Sequence, residues 1–273
     1  MNIPSLKLKN EQSMPMLGLG TWLLTGSQCE KAVNIALEMG YPHIDTSDDY
    51  RNERRIGNAL TGFDRSSLFI TSKIDDTKLR KDDVLSACQD SLKRLQTDYL
   101  DLYLIHRPNP RIPISETMAG MKKLVDEQLV RSIGISNFNI NQTKEAIESA
   151  EIPVCVNQIK INPYHFPKDE IDFFKKQDIV VTSYSPLGHG KLVHNEFLSD
   201  IGEKYNKNAS QISLKWLLDN DLIVIPKAST KDHLKEDIDL FDWDLTDEDF
   251  KEIAQKSGNG LKKMKYKLNK AIR

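Results

Sequence analysis

The sequence predicts an α/β chain closed as a (β/α)8 TIM barrel, with a short N-terminal β-hairpin ahead of the first barrel strand. Three observations carry that prediction. Short apolar runs alternate with longer amphipathic segments along nearly the whole chain. The runs are almost continuously apolar and rich in β-branched residues, as parallel strands buried on both faces require. Eight strand-plus-helix units fill about 250 residues, the usual size of one closed barrel, and the chain has 273.

Each element follows in order. LKLKNEQSMPMLGLG begins as a small hairpin, and MLGLGTW (16–22) is the first barrel strand. SQCEKAVNIALEMG is a helix that ends at Gly40, a residue suited to the left-handed position after a helix end. HID (43–45) is the second strand and NERRIGNALTG the helix after it. LFITSK (68–73) leads to RKDDVLSACQDSLKRLQ, where Ala87, Leu92 and Leu95 share one face at close to helical spacing. LDLYLIH (100–106), VRSIGIS (130–136), VCVNQI (154–159), IVVTSYS (179–185) and LIVIPK (222–227) are the remaining strands. The helices between them are SETMAGMKKLVDEQ, NQTKEAIESAE, KDEIDFFKKQ and ASQISLKWLLDN, and the longest crossover carries an extra one, EFLSDIGEKYN. No linker rich in Pro, Gly or Ser interrupts the series, so one barrel domain is expected over residues 1–273, with a basic tail from about 256. A doubly wound open sheet is the rival, but it usually carries a GxGxxG turn after an early strand, and this chain has none.

Composition narrows the function. Apolar residues make up 39% and charged residues 29%, the profile of a soluble globular chain. A formal net charge of -2 gives no reason to expect nucleic acid as a partner. No run reaches the roughly 18 apolar residues of a membrane helix. MNIPSLKLKNEQ lacks the apolar stretch of a secretory leader, and Cys29, Cys88 and Cys155 are odd in number and far apart. Reduced thiols and a cytoplasmic location are therefore expected. The six histidines show no metal-ligand spacing, so no metal is assigned.

Barrels of this class carry their sites at the C-terminal ends of the strands. At those ends stand Asp45, Lys73, His106, Ser136 with Asn137, Gln158, Tyr184 with Ser185, and Lys227, and Tyr50 lies in the loop after Asp45. A free phenol, with a pKa near ~10, is a weak proton donor near neutral pH. A lysine ammonium nearby lowers that pKa, and an aspartate keeps the lysine charged. A neutral histidine can donate to a carbonyl oxygen on which charge develops. Such a set suits reduction of an aldehyde or ketone, and since no side chain delivers hydride, a nicotinamide cofactor is implied.

The motifs MLGLGTW, HIDTSDDYRNE, LFITSK, RLQTDYLDLYLIH, IGISNF, VNQIKINPY, YSPLGHG and IPKAST resemble those of the aldo-keto reductase family, in the family's order. The resemblance implies that Tyr50 donates the proton, Lys73 and Asp45 tune it, and His106 orients the substrate carbonyl. It implies that Tyr184 stacks on nicotinamide, that Ser136, Asn137 and Gln158 hold the carboxamide, and that Asp45 touches the ribose. Gly20, Thr21 and Trp22 would line the cofactor and substrate pocket. Ser185, Leu187 and Gly188 would meet the pyrophosphate. Lys227, Ala228, Ser229 and Thr230, with His233, Glu236 and Asp237 on the following helix, would hold the adenosine end. Ser229 or Thr230 can cap that helix. The family also implies a monomer acting on a small-molecule carbonyl substrate.

This chain departs from the family pattern at three places. His233 stands where an arginine often grips the 2′-phosphate. Lys227 remains, so NADPH (NADP+) is favoured and NADH is possible. Asp237 replaces a common adenine-contacting asparagine, and Lys160 replaces a glutamate. Two other functions stay open: a Schiff-base aldolase using Lys73, and a non-catalytic cofactor-binding barrel acting as a redox sensor or regulator. Asp48 and Asp49 read as exposed loop carboxylates, Asn52 and Glu53 as the cap and start of a helix, Trp216 and Trp243 as packing residues, and His165, His189 and His194 as surface or loop histidines.

Overall fold

The computed structural model describes residues 3–256. Beyond Lys256 the expected basic tail lies outside the described residues. An antiparallel hairpin, β1 (Ser5–Lys7) and β2 (Ser13–Pro15), precedes the barrel. The barrel strands are β3 (Leu19–Gly20), β4 (His43–Asp45), β5 (Phe69–Ile74), β6 (Leu100–Ile105), β7 (Val130–Ser136), β8 (Val154–Lys160), β9 (Val180–Tyr184) and β10 (Ile223–Val224). They pair in parallel in sequence order from β3 to β10. A parallel bridge between Leu17 and Val224 then joins the first strand to the last, so the sheet closes.

Helices α1 (Gly26–Glu38), α2 (Glu53–Leu60), α3 (Lys81–Leu95), α4 (Ile114–Asp126), α5 (Ile140–Ser149), α6 (Lys168–Lys176), α7 (Glu196–Glu203), α8 (Ala209–Leu218), α9 (Lys231–Ile238) and α10 (Asp247–Lys256) accompany the strands. Gly40 follows α1 with φ 89°, in the left-handed region expected after a helix end. Helix α10 was not among the sequence predictions.

The alternation of strand side chains divides the core. Leu102, Leu104, Cys155, Val156 and Ile223 point into the barrel, where Leu8 and Met14 of the hairpin segment pack with them from one end. Tyr103, Ile105, Ile133 and Ile135 point outward and meet the helices. In the same alternation Asp45 and Lys73 lie at the far end of the interior from the hairpin. The apolar filling stops there and a polar constellation begins.

Candidate active site

Strand β4 ends at Asp45 and β5 carries Lys73; the parallel register pairs Asp45 with Thr71, so Lys73 stands two residues further along the neighbouring strand, on the same face. Lys73 Nζ donates to Asp45 Oδ1 at 2.5 Å and to the Thr46 carbonyl at 2.7 Å. Gln158 Nε2, from β8, donates to Asp45 Oδ2 at 2.8 Å. The two charged side chains are 0% and 3% exposed, so both are out of bulk water. Burial pulls the Lys73 ammonium down, but the negative charge of Asp45, together with the hydrogen bonds to Asp45 and Tyr50, outweighs it and holds the lysine above its ordinary value. A Schiff-base lysine needs a neutral amine in an apolar pocket. Lys73 is the opposite, a charged and fully bonded cation.

A short 3-10 turn, Asp48–Tyr50, brings the phenol back over this pair. Lys73 Nζ lies 5.0 Å from the centre of the Tyr50 ring. The sequence reading expected the ammonium to lower the phenol's pKa below its ordinary value. The net direction is upward, because burial raises it more than Lys73 lowers it. Tyr50 therefore carries its proton at neutral pH, as an acid must.

His106 follows β6 and meets Tyr50 edge to face, with ring centres 5.6 Å apart. Burial, then the charges of Lys73 and Arg107, lower its pKa to about 3. The ring is neutral at pH 7 and has one N–H to give. Ser47 Oγ lies 3.1 Å from His106 Nδ1 and 3.4 Å from the Lys73 carbonyl, and it accepts from the Asp49 amide at 3.3 Å. A hydroxyl donating along the shorter path, to Nδ1, leaves the ring proton on Nε2. Sequence reasoning missed Ser47. Its place two residues beyond a site aspartate was the available signal.

Two other sequence expectations about this loop need correction. Asp48 is not an exposed carboxylate: its side chain is 12% exposed and bonds Lys78 at 2.6 Å and Arg94 at 2.8 Å. Glu53 does start α2, but it is also buried, accepting from Ser72 Oγ at 2.6 Å and from Arg94 at 2.7 Å. Asn52 makes no side-chain cap. It instead donates to the Thr21 and Leu24 carbonyls and accepts from Thr46 Oγ1, tying the Tyr50 loop to the loop after β3. Asp49 is exposed, as expected.

Above the constellation opens a cavity of about 950 Å³. Its floor holds Asp45, Tyr50 and His106, and one wall holds Gly20, Thr21 and the 46% exposed Trp22. Ser136, Asn137, Gln158 and Tyr184 form a second wall at the ends of β7, β8 and β9. Tyr184 donates its hydroxyl to Asn137 Oδ1 at 2.8 Å, Asn137 donates to the His106 carbonyl at 3.0 Å, and Ser136 Oγ donates to the Gln158 carbonyl at 2.8 Å. These bonds fix a flat aromatic face beside a row of amide and hydroxyl groups. Such a surface fits a planar heteroaromatic ring with a carboxamide. Ser185, Leu187 and Lys227 continue the lining. His189, read from the sequence as a surface or loop histidine, is indeed exposed in the loop after β9, and it also lines the cavity and packs against Trp22 with ring centres 5.5 Å apart.

The remaining expected cofactor residues lie outside the cavity lining. Gly188 has φ 58° in the loop after β9. Ala228 is buried and Ser229 half-buried beyond β10, and Thr230, not Ser229, caps α9 by accepting from the His233 amide at 3.3 Å. His233 is exposed and Glu236 half-buried on α9. Asp237 is 4% exposed and faces inward, and burial, reinforced by Glu236, raises its pKa to about 8.

Comparison with known proteins agrees with this geometry. The model of the Aldo/keto reductase family matches residues 16–257. The glyoxal reductase of Bacillus subtilis (strain 168) is 38% identical over 252 residues, covering 91% of each chain. The methylglyoxal reductase of Escherichia coli (strain K12) is 37% identical over 92% of each. A Bombyx mori aldo-keto reductase solved in complex with NADP superposes with a TM-score of 0.87 at 34% identity, over 94% of each chain. With a closed barrel, a buried Asp–Lys pair beneath a tyrosine and a histidine, and a family match across nearly its whole length, the chain belongs to the aldo/keto reductase family.

Proposed function

We propose that this protein reduces small aldehydes or ketones to alcohols with NADPH, and that Tyr50 supplies the proton. The observation that carries the proposal is the placement of a protonated phenol and a neutral imidazole side by side on a cavity floor, over a buried ammonium. Bound NADPH supplies the hydride from its nicotinamide ring. Tyr184, Ser136, Asn137 and Gln158 orient that ring, and Lys227 offers a cation toward the phosphates. His106 donates from Nε2 to the carbonyl oxygen. The same oxygen lies within reach of the Tyr50 hydroxyl. As negative charge builds there, Tyr50 releases its proton and the Lys73 ammonium stabilises the phenolate left behind. Asp45 and Gln158 keep Lys73 charged and fixed throughout.

The exposed His233 gives a weaker phosphate grip than an arginine fork, so NADPH is preferred modestly and NADH is also used. Three buried free cysteines support a reducing, cytoplasmic setting. Among the described residues no helix is long and apolar enough to cross a membrane. A monomer is the oligomeric state proposed, since the whole constellation comes from one chain.

A panel of aldehydes, ketones and keto sugars, assayed by NADPH oxidation with NADH in parallel, tests the reading. Turnover of at least one carbonyl class, faster with NADPH, is expected. Tight NADPH binding with no carbonyl turned over would instead support a sensor.

A further inference from the structure

Arg107 is the second residue beyond β6, directly after His106, and it lines the same cavity as Tyr50 and Trp22. Its side chain is 57% exposed. Its nearest carboxylate, Asp49, stands 4.0 Å away and is itself 45% exposed, which is the outer limit of an ion pair. No hydrogen bond holds the guanidinium among the described residues. The arginines that serve the fold look different: Arg65 and Arg94 each reach a carboxylate at 2.7 Å and spend further donors on neighbouring groups. Arg107 thus brings five N–H donors to the cavity without a structural use for them.

The charge balance of the cavity sharpens the point. Among the described residues Asp45 is the only acidic side chain in its lining, and Lys73 and Gln158 already hold both of its oxygens. Lys73 is fully buried and committed to Asp45 and Thr46. Lys227 lies after β10, on the side assigned above to the cofactor. Arg107, His106 and Tyr184 line the same cavity, and the charge of Arg107 is felt at both of the other two. A substrate whose carbonyl oxygen sits at Tyr50 and His106 therefore shares its cavity with a weakly paired, solvent-exposed cation.

We propose that Arg107 selects carbonyl substrates bearing an anionic group, and oxo acids above all, by binding the carboxylate through its planar fork. The proposal rests on the carbonyl-reductase reading. It adds a second anchor, so the carboxylate end fixes the distance and angle at which the carbonyl reaches Tyr50. Trp22 and the 65% exposed Leu23 supply an apolar wall for the carbon chain between the two anchors.

The test compares 4-oxobutanoate with its methyl ester as substrates for the full-length enzyme and NADPH, in wild type and Arg107→Met. The two compounds share an aldehyde and differ in charge. The wild-type kcat/KM for the acid should exceed that for the ester roughly tenfold or more, the low end for hydrogen bonds to a charged group. That ratio should shrink as salt is raised, and it should fall to near one in Arg107→Met. Because it is a ratio, any loss of active enzyme common to both substrates cancels. A wild-type ratio near one, or a high ratio that survives Arg107→Met, overturns the assignment of Arg107 and leaves the reductase reading standing. No NADPH oxidation with either compound, or with any carbonyl of the wider panel, overturns the reductase reading and this assignment with it.

Discussion

Ser47 shows how much a single hydroxyl can decide. Its hydroxyl stands 3.1 Å from His106 Nδ1, and a hydroxyl that donates there keeps the ring proton on Nε2, the nitrogen that the proposed reaction uses toward the carbonyl. Ser47→Ala removes that control without opening a large cavity. Its kcat should fall roughly tenfold, on the scale of a lost hydrogen bond, with NADPH affinity unchanged in a fluorescence titration. An unchanged kcat would show that His106 finds its tautomer without help. The main site residues were readable in the sequence because each closes a strand or starts the loop after one: Asp45, Lys73 and His106 sit at the ends of recognisable apolar runs. Asp48 was not readable. Its partners Lys78 and Arg94 are 30 and 46 residues away, and only the folded chain brings them to a loop that otherwise looks solvated. The direction of the Tyr50 shift was misjudged for a related reason, since burial depends on every element around the ring.

At the scale of elements, α9 illustrates a local charge with a global effect. Asp237 lies on its inner face and keeps its proton up to about pH 8, far above its ordinary value of 3.8. The folded state therefore binds this proton more tightly than the unfolded chain does. Its contribution to stability is complete below about pH 4 and is lost as pH rises toward 8, at roughly 1.4 kcal/mol per pH unit. Asp237→Asn removes the penalty. In urea denaturation without cofactor, the variant's advantage over wild type should grow by on the order of 3 kcal/mol between pH 5 and pH 8. An advantage that does not change with pH would mean that Asp237 is ionised in the fold. Helix α9 was expected from the family resemblance, with Ser229 or Thr230 as its cap, and Thr230 performs that capping. Helix α10 escaped because its first turn, Asp247, Glu248 and Asp249, reads as a solvated acidic stretch. Its Phe250 and Ile253 nonetheless bury against the barrel's outer core, and Trp216 of α8 donates to the Phe250 carbonyl at 3.2 Å.

The whole molecule depends on closure. The Leu17–Val224 bridge, with Gly18 donating to Val224 and Val224 to Met16, ties residues more than two hundred positions apart. A ring of eight strands whose first and last members support each other is expected to lose its order together. Buried Trp216 fluorescence and far-UV circular dichroism should therefore report one coincident urea transition, which two separate transitions would contradict. The barrel was legible because its repeating unit is written eight times and each copy supports the others. The cavity above it was less so, since its walls come from loops such as that holding His189, whose positions follow from packing and not from pattern. The account's central claim is that Tyr50 is the proton source over the Asp45–Lys73 pair. Single-turnover reduction of an active aldehyde by the NADPH complex of Tyr50→Phe tests it most directly. The account predicts a rate lower by roughly 10²–10⁴, the range of general acid catalysis, with NADPH affinity retained. A single-turnover rate near that of wild type would contradict it.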